Sequence, residues 1–356
     1  MPKKKSKASN RKTKSYSFDL KRDGMTQSAF VLWMVCKEQF RLKYMEGLTG
    51  RGVSIPLMFG SGMHYVYETL YGEIQKGEGF DIEDPKRRRL LARAAERYKR
   101  WHVRTQRPPG KMTTENLEKE YTAFTLMDIM WPMYVRRITS GIDKYLDLTE
   151  RWKFLEVEHT FAVREGCILT RGMTDAIYRD KRERLWLLEH KNLSVIDEGY
   201  IMDTLSVNFQ TMMYLNALTH LYPRGQIGGV MLNITRRPLL RQKKAETEEQ
   251  FAVRISTDVA DRPDWYFMRF ECAVTPEDIM RWRMRTLMPL VRDFKAWYNA
   301  IVDGKCDTHY VNHEALRGIY GRASMCNAIL GNRTGYYVRS KVHPELSLNI
   351  GSSKNG

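Results

Sequence analysis

The stretch ILTRGMTDAIYRDKRERLWLLEHKNL, residues 168–193, decides the fold. Its two ends are apolar and rich in strand-forming residues, and its middle, RDKRER (179–184), is short and charged. Two such runs around a short polar connection make the pattern of a β-hairpin. Side chains alternate along a strand, so Glu189 and Lys191 share one face while His190 takes the other. With the turn near Lys181 and Arg182, residue 175 falls opposite residue 188 or 189, which brings Asp175 beside Glu189. Two carboxylates and a lysine then converge. Hydrolysis of a phosphodiester calls for such a set: acidic oxygens to hold one or two hard cations, and a fixed positive charge for the attacking water and the transition state. By spacing alone, Glu189 and Lys191 also fit a surface ion pair without function.

Outward from the hairpin, FLEVEHTFAV (154–163) alternates and predicts a strand, with the sheet starting near Trp152. Downstream the pattern predicts a helix over 205–221, a strand at IGGVMLNIT (227–235), a charged linker over 236–250 and a strand in WYFMRFECAV (265–274). Pro276 then opens a helix to about residue 302. The first 150 residues read as mostly helical: 26–48 with Thr26 as N-cap, a helix through GMHYVYETLYGEI (62–74), a basic helix over 86–104, a break at Pro108-Pro109-Gly110, and a helix over 114–147. In the second of these His64, Glu68 and Tyr71 lie on one face. The expected fold class is α/β, a mixed central sheet of four or five strands flanked by helices, with the helical N-terminal portion packed around it. The expected boundaries are a basic tail over 1–24, one domain over 25–330 (helical part 25–150, core 151–302, irregular part 303–330) and a C-terminal tail over 331–356.

The chain has 356 residues and a formal net charge of +17. Residues 1–22 hold nine Lys or Arg against one acid, Asp19, so almost half the excess sits in a tail too poor in apolar residues to order itself. A positive balance of this size attracts polyanions. No apolar run approaches the roughly 18 residues of a membrane span, and the basic N-terminus has no apolar segment behind it, so the expected location is intracellular, away from membranes. Five scattered cysteines argue against a disulfide framework. Cys167 and Cys272 fall in predicted strands as buried thiols. No GxxxxGK[ST] loop occurs.

The ordered series GMTD (172–175), LLEHK (187–191) and QTMMY (210–214) resembles the PD-(D/E)XK nuclease superfamily, in its RecB-like and Cas4-like exonuclease branch. There Gly-x-x-Asp is followed by an apolar strand ending Asp/Glu-x-Lys and by Gln-x-x-x-Tyr on the next helix. FGSGMH (59–64) is similar to the segment that supplies a metal-binding histidine in that branch. The resemblance implies a restriction-endonuclease-like core, with Mg2+ or Mn2+ held by His64, Asp175, Glu189 and the backbone carbonyl of His190. It implies Lys191 as the catalytic lysine and Gln210 and Tyr214 reaching toward the site or DNA. Glu158 occupies a strand position often acidic in such proteins, with a structural role an equal reading. Many members bind an iron-sulfur cluster through one cysteine in the opening helix and three near the C-terminus. Cys36 and Cys326 match the first and last, but IYGRASMC (319–326) lacks the others, so no cluster is expected. A zinc site from Cys306, His309, His313 and Cys326 has irregular spacing.

Arg236, Arg237, Arg241, Lys243, Lys244 and the Arg281, Arg283, Arg285 row fit either a phosphate-tracking surface or a solvated face. Trp265, Tyr266 and Phe267 read as core. The expected partner is DNA, with RNA left open, and the expected activity is metal-dependent hydrolysis by an exonuclease or flap-type nuclease in recombination, repair or genome processing. The alternatives are an endonuclease of the same chemistry and a non-cleaving nucleic-acid-binding or scaffold subunit of the same fold.

Overall fold

A computed structural model describes residues 16–76, 84–139, 152–223 and 225–306, with short pieces between 311 and 339. Most of the basic tail, the end of the helix expected to run to 147, His309, His313, the side chain of Cys326 and most of the C-terminal tail lie outside the described residues. The chain is α/β, with a mixed central sheet flanked by helices. The strands are β1 (Met25–Thr26), β2 (Leu48–Gly50), β3 (Lys153–Glu165), β4 (Ile168–Arg179), β5 (Leu185–Leu193), β6 (Ile227–Arg236), β7 (Phe267–Ala273) and β8 (Tyr336–Val338). The central sheet runs β1-β4-β5-β6-β7, with β3 also on β4, and β2 pairs β8 separately. The chain forms two compact units, one of 1–50, 162–172 and 283–350, the other of 51–161, 173–282 and 351–356.

The second unit holds most of the strands. β4 and β5 are antiparallel, β5 and β6 parallel, β6 and β7 antiparallel. The parallel step needs a crossover, which the helix Phe209–Leu221 supplies, packed on β6. Trp186 and Leu188 of β5 join a large apolar cluster with the helices Ile55–Gln75, Ala94–Thr105, Thr114–Thr139 and Glu248–Asp261. Leu185 and Leu187, directed the opposite way by strand alternation, are buried too, so both faces of this strand are covered. Gly229 has φ +144, and a Cβ there would lie 2.1 Å from the Cys272 carbonyl oxygen, so β6 needs glycine to approach β7.

The first unit is built on aromatic packing. Phe40 and Phe294 meet edge to face at 5.3 Å, with Phe30, Trp33 and Tyr298 around Phe294. β1 pairs parallel with β4 at Met25↔Thr170 and Thr26↔Arg171.

Four local expectations are corrected. The helix expected over 26–48 stops at Val35, because Cys36 is extended (φ −158), and a short helix and a wide turn follow. The span 248–261 is a helix, with Phe251, Ile255 and Val259 buried four apart and a capping box between Thr247 and Gln250. Residues 263–266 form a helical turn, so β7 starts at Phe267, and Trp265 is exposed while Tyr266 and Phe267 are buried. Cys167 is likewise exposed, beyond the end of β3.

Candidate functional site

The hairpin fixes the first pair. Ala176 faces Leu188 and Tyr178 faces Trp186, so one further step sets Asp175 against Glu189. The turn that holds this register is organised by Asp180, whose carboxylate accepts the N–H groups of Arg182 and Arg184, each at 2.9 Å. Asp175 Oδ2 accepts the backbone N–H of His190 at 2.6 Å, and its Oδ1 stands 3.2 Å from Nδ1 of His64. His64 comes from the helix Ile55–Gln75, which Phe59, Met63, Val66, Tyr67 and Leu70 bury against the apolar cluster. That burial leaves the imidazole half-exposed toward Asp175.

A third group joins from β3. Glu158 has φ 49, a left-handed conformation rare for a residue with a Cβ and rarer inside a strand. The kink breaks the alternation expected of 154–163 and re-aims the side chain. Ligand atoms of His64, Glu158 and Asp175 all lie within 4.8 Å of one another. Glu158 is the site residue that strand periodicity alone passes over, since a single left-handed residue is invisible in an alternating pattern. Its sequence signal is the strand position that the resemblance marks as often acidic, since Glu158 alternates with Leu155 and Val157 as an ordinary polar residue would.

Glu189 is buried. Its Oε1 accepts from Nζ of Lys191 at 2.7 Å and from Nε2 of Gln210 at 2.6 Å, and Lys191 also donates to Oε1 of Gln210 at 2.7 Å. The other oxygen, Oε2, is buried without a hydrogen-bond partner among the described residues. A buried carboxylate oxygen left unpaired costs free energy, which a cation would recover. Gln210 enters from the first turn of the helix capped by Asn208, whose side chain accepts the N–H of Thr211. Tyr214, one turn on, is buried with its ring edge-on to Phe161 at 5.4 Å.

His190 points away from this cluster, as alternation requires. Its ring stacks on Tyr67 at 4.3 Å and its Nδ1 accepts from the Asn233 amide at 2.8 Å. Asn233 also donates to the Tyr134 hydroxyl and accepts from Arg269. The imidazole of His190 is thus a buried support of β5, and only its backbone is left for the ligand role that the resemblance implies.

The electrostatics follow from the crowding. Burial pulls the His64 imidazole down, but Asp175, with Glu158 and Glu189 behind it, outweighs this and holds it at about 9. Burial and then Asp175 push Glu158 up to about 8. Burial also raises Glu189, opposed by Lys191 and reinforced by Asp175, whereas for Asp175 the His64 charge and the His190 N–H outweigh burial and lower it. Burial lowers Lys191, but its pair with Glu189 more than restores it. Burial brings His190 down to about 3, so it is neutral. Two carboxylates and one imidazole within 4.8 Å of one another are the kind of donor set that can hold a divalent cation.

Arg236, by contrast, is buried, stacked on Trp265 at 3.7 Å and bonded to its carbonyl, and Arg283 pairs with the buried Glu165. These two make contacts within the protein. Cys36 is buried, and no described helix is long and apolar enough to cross a membrane. No protein-family model matches the chain, and no curated protein matches it in sequence.

Proposed function

We propose that this chain is a divalent-metal-dependent nuclease with the chemistry and the restriction-endonuclease-like core of the PD-(D/E)XK superfamily, in its RecB-like and Cas4-like branch. The observation that carries this reading is the convergence of His64, Glu158, Asp175, Glu189, Lys191 and Gln210 from five elements of the chain. An ion pair without function needs neither the left-handed Glu158 nor the unpaired oxygen of Glu189.

His64, Glu158, Asp175 and Oε2 of Glu189 would hold the metal, with the His190 carbonyl as a further donor. When bound, a divalent cation supplies Lewis acidity at a phosphoryl oxygen and lowers the pKa of water. Lys191, fixed by Glu189 and Gln210, keeps an ammonium at the edge of the cluster, where it orients the attacking water and offsets charge on the phosphoryl oxygens. Gln210 acts through Lys191 and Glu189 as a positioning residue.

The preferred substrate is DNA, and the preferred mode is exonucleolytic or flap-directed, a preference that rests on the resemblance. The test uses labelled linear and covalently closed circular DNA, single- and double-stranded, with Mg2+, Mn2+ or EDTA. Metal-dependent loss of the linear forms, with the circles intact, is expected. Cleavage in EDTA would contradict the chemistry, and cleavage of closed circles would make the enzyme an endonuclease.

A further inference from the structure

The helix Ala94–Thr105 carries an unassigned surface one helix away from His64. Its buried edge is Ala94, Ala95, Tyr98 and His102. Tyr98 packs on the His64 helix, its hydroxyl donating to the Met58 carbonyl at 3.3 Å and its ring 5.9 Å from that of Tyr65. Gly62 makes room, since a Cβ there would lie 3.1 Å from the Tyr98 ring and 2.3 Å from the Met127 sulfur. The outer edge is Arg97, Arg100, Trp101, Arg104 and Thr105, which together line a surface cavity of about 270 Å3. Spacings of three and four place the three arginines in a row on one face. Trp101 is 45% exposed between them, a large apolar ring kept in water.

The segment 86–104 holds nine Lys or Arg and a single acid, Glu96, which pairs with Lys99. The side chains of Arg97, Arg100 and Arg104 make no ion pair or hydrogen bond with any described residue. Three unpaired guanidiniums around one exposed indole repel one another until a polyanion neutralises them. The ring offers a stacking plate, and the cavity has space for one ring system rather than an extended ligand. A lipid surface fits poorly, because the apolar edge of this helix faces the protein core and leaves nothing broad to insert.

We propose that Arg97, Arg100, Trp101 and Arg104 form a binding site for single-stranded nucleic acid, with Trp101 stacked on an unpaired base and the arginines on neighbouring phosphates. The site would deliver a strand toward the His64 helix. The choice of nucleic acid rests on the nuclease reading, but binding itself needs no cleavage.

The test is fluorescence anisotropy of labelled dT20 and of a 20-base-pair duplex with the full chain in EDTA, across a salt series. Trp101→Ala is expected to weaken dT20 binding at least about fivefold, with Trp101→Phe retaining most of it. Arg97→Ala/Arg104→Ala is expected to lower the salt slope by about 2, where Arg292→Ala, removing one exposed charge elsewhere, leaves the Trp101-dependent difference intact. All these side chains are exposed, so thermal midpoints should stay unchanged and certify folding. Wild-type affinity and slope in both the Trp101→Ala and the double-arginine variants would overturn the proposal. So would a chain that pellets with phosphatidylserine vesicles yet does not bind dT20. A wild type that binds dT20 through this face but cleaves nothing in Mg2+ or Mn2+ would support the site while removing the nuclease reading.

Discussion

Oδ2 of Asp175 accepts the backbone N–H of His190 at 2.6 Å, so the carboxylate nearest His64 is also a brace across the hairpin. The two roles separate by substitution. Asp175→Asn keeps an acceptor for the His190 N–H but removes the charge that holds His64 at about 9. The His64 pKa, read by NMR titration, is expected to fall toward its ordinary value near 6.5 with the fold intact. Asp175→Ala additionally leaves the N–H unpaired and is expected to lose about 1–3 kcal/mol of stability in denaturant unfolding. A His64 pKa still near 9 in Asp175→Asn would show that another group holds its proton.

Glu158 trades stability for position. A left-handed residue with a Cβ costs about 1–2 kcal/mol, and the carboxylate is half-buried near Asp175 besides. Glu158→Gly is expected to be as stable in EDTA as the parent or more so, by up to about 1 kcal/mol. Mn2+ is expected to raise the thermal midpoint of the parent and to lose most of that effect in the variant. A variant that is destabilised and keeps its full Mn2+ response would make Glu158 a structural residue.

His190 sets an acid limit on the fold. Its pKa is about 3 in the native chain and near 6.5 unfolded, so below 6.5 the unfolded chain takes up a proton that the native one does not. Its contribution therefore falls as pH drops from 6.5 toward 3 and is constant above 6.5. Urea unfolding of the parent and of His190→Gln is expected to show an extra loss of about 2 kcal/mol in the parent between pH 7 and pH 5. Parallel profiles would mean that the ring is not held neutral by burial.

The hairpin was legible because its period is two. Counting back from a turn near Lys181 puts residue 175 opposite 188 or 189, and the observed Ala176↔Leu188 pairing agrees. Lys191 and Glu189 share a face for the same reason, and Gln210 follows from the resemblance. What was not legible depends on tertiary context. No periodicity announces the φ of Glu158. The helix 248–261 was hidden in a charged stretch, though Thr247, Gln250 and the Phe251, Ile255, Val259 spacing carried its signal. Cys36 breaks the opening helix at a residue with no breaking propensity of its own. The packing of the Tyr214 ring against Phe161 is set by tertiary contacts that the Gln-x-x-x-Tyr spacing does not carry.

The central claim is that Lys191, held at 2.7 Å by both Glu189 and Gln210, serves the chemical step, with the cation held by other groups. The direct measurement compares parent and Lys191→Ala for two quantities on the same preparations: Mn2+ affinity by calorimetry, and single-turnover cleavage of labelled linear DNA at saturating Mn2+. Cleavage is expected to fall at least about a hundredfold while Mn2+ affinity is kept within about tenfold. Equal cleavage by Lys191→Ala, or cleavage by either protein without a divalent cation, would contradict the account.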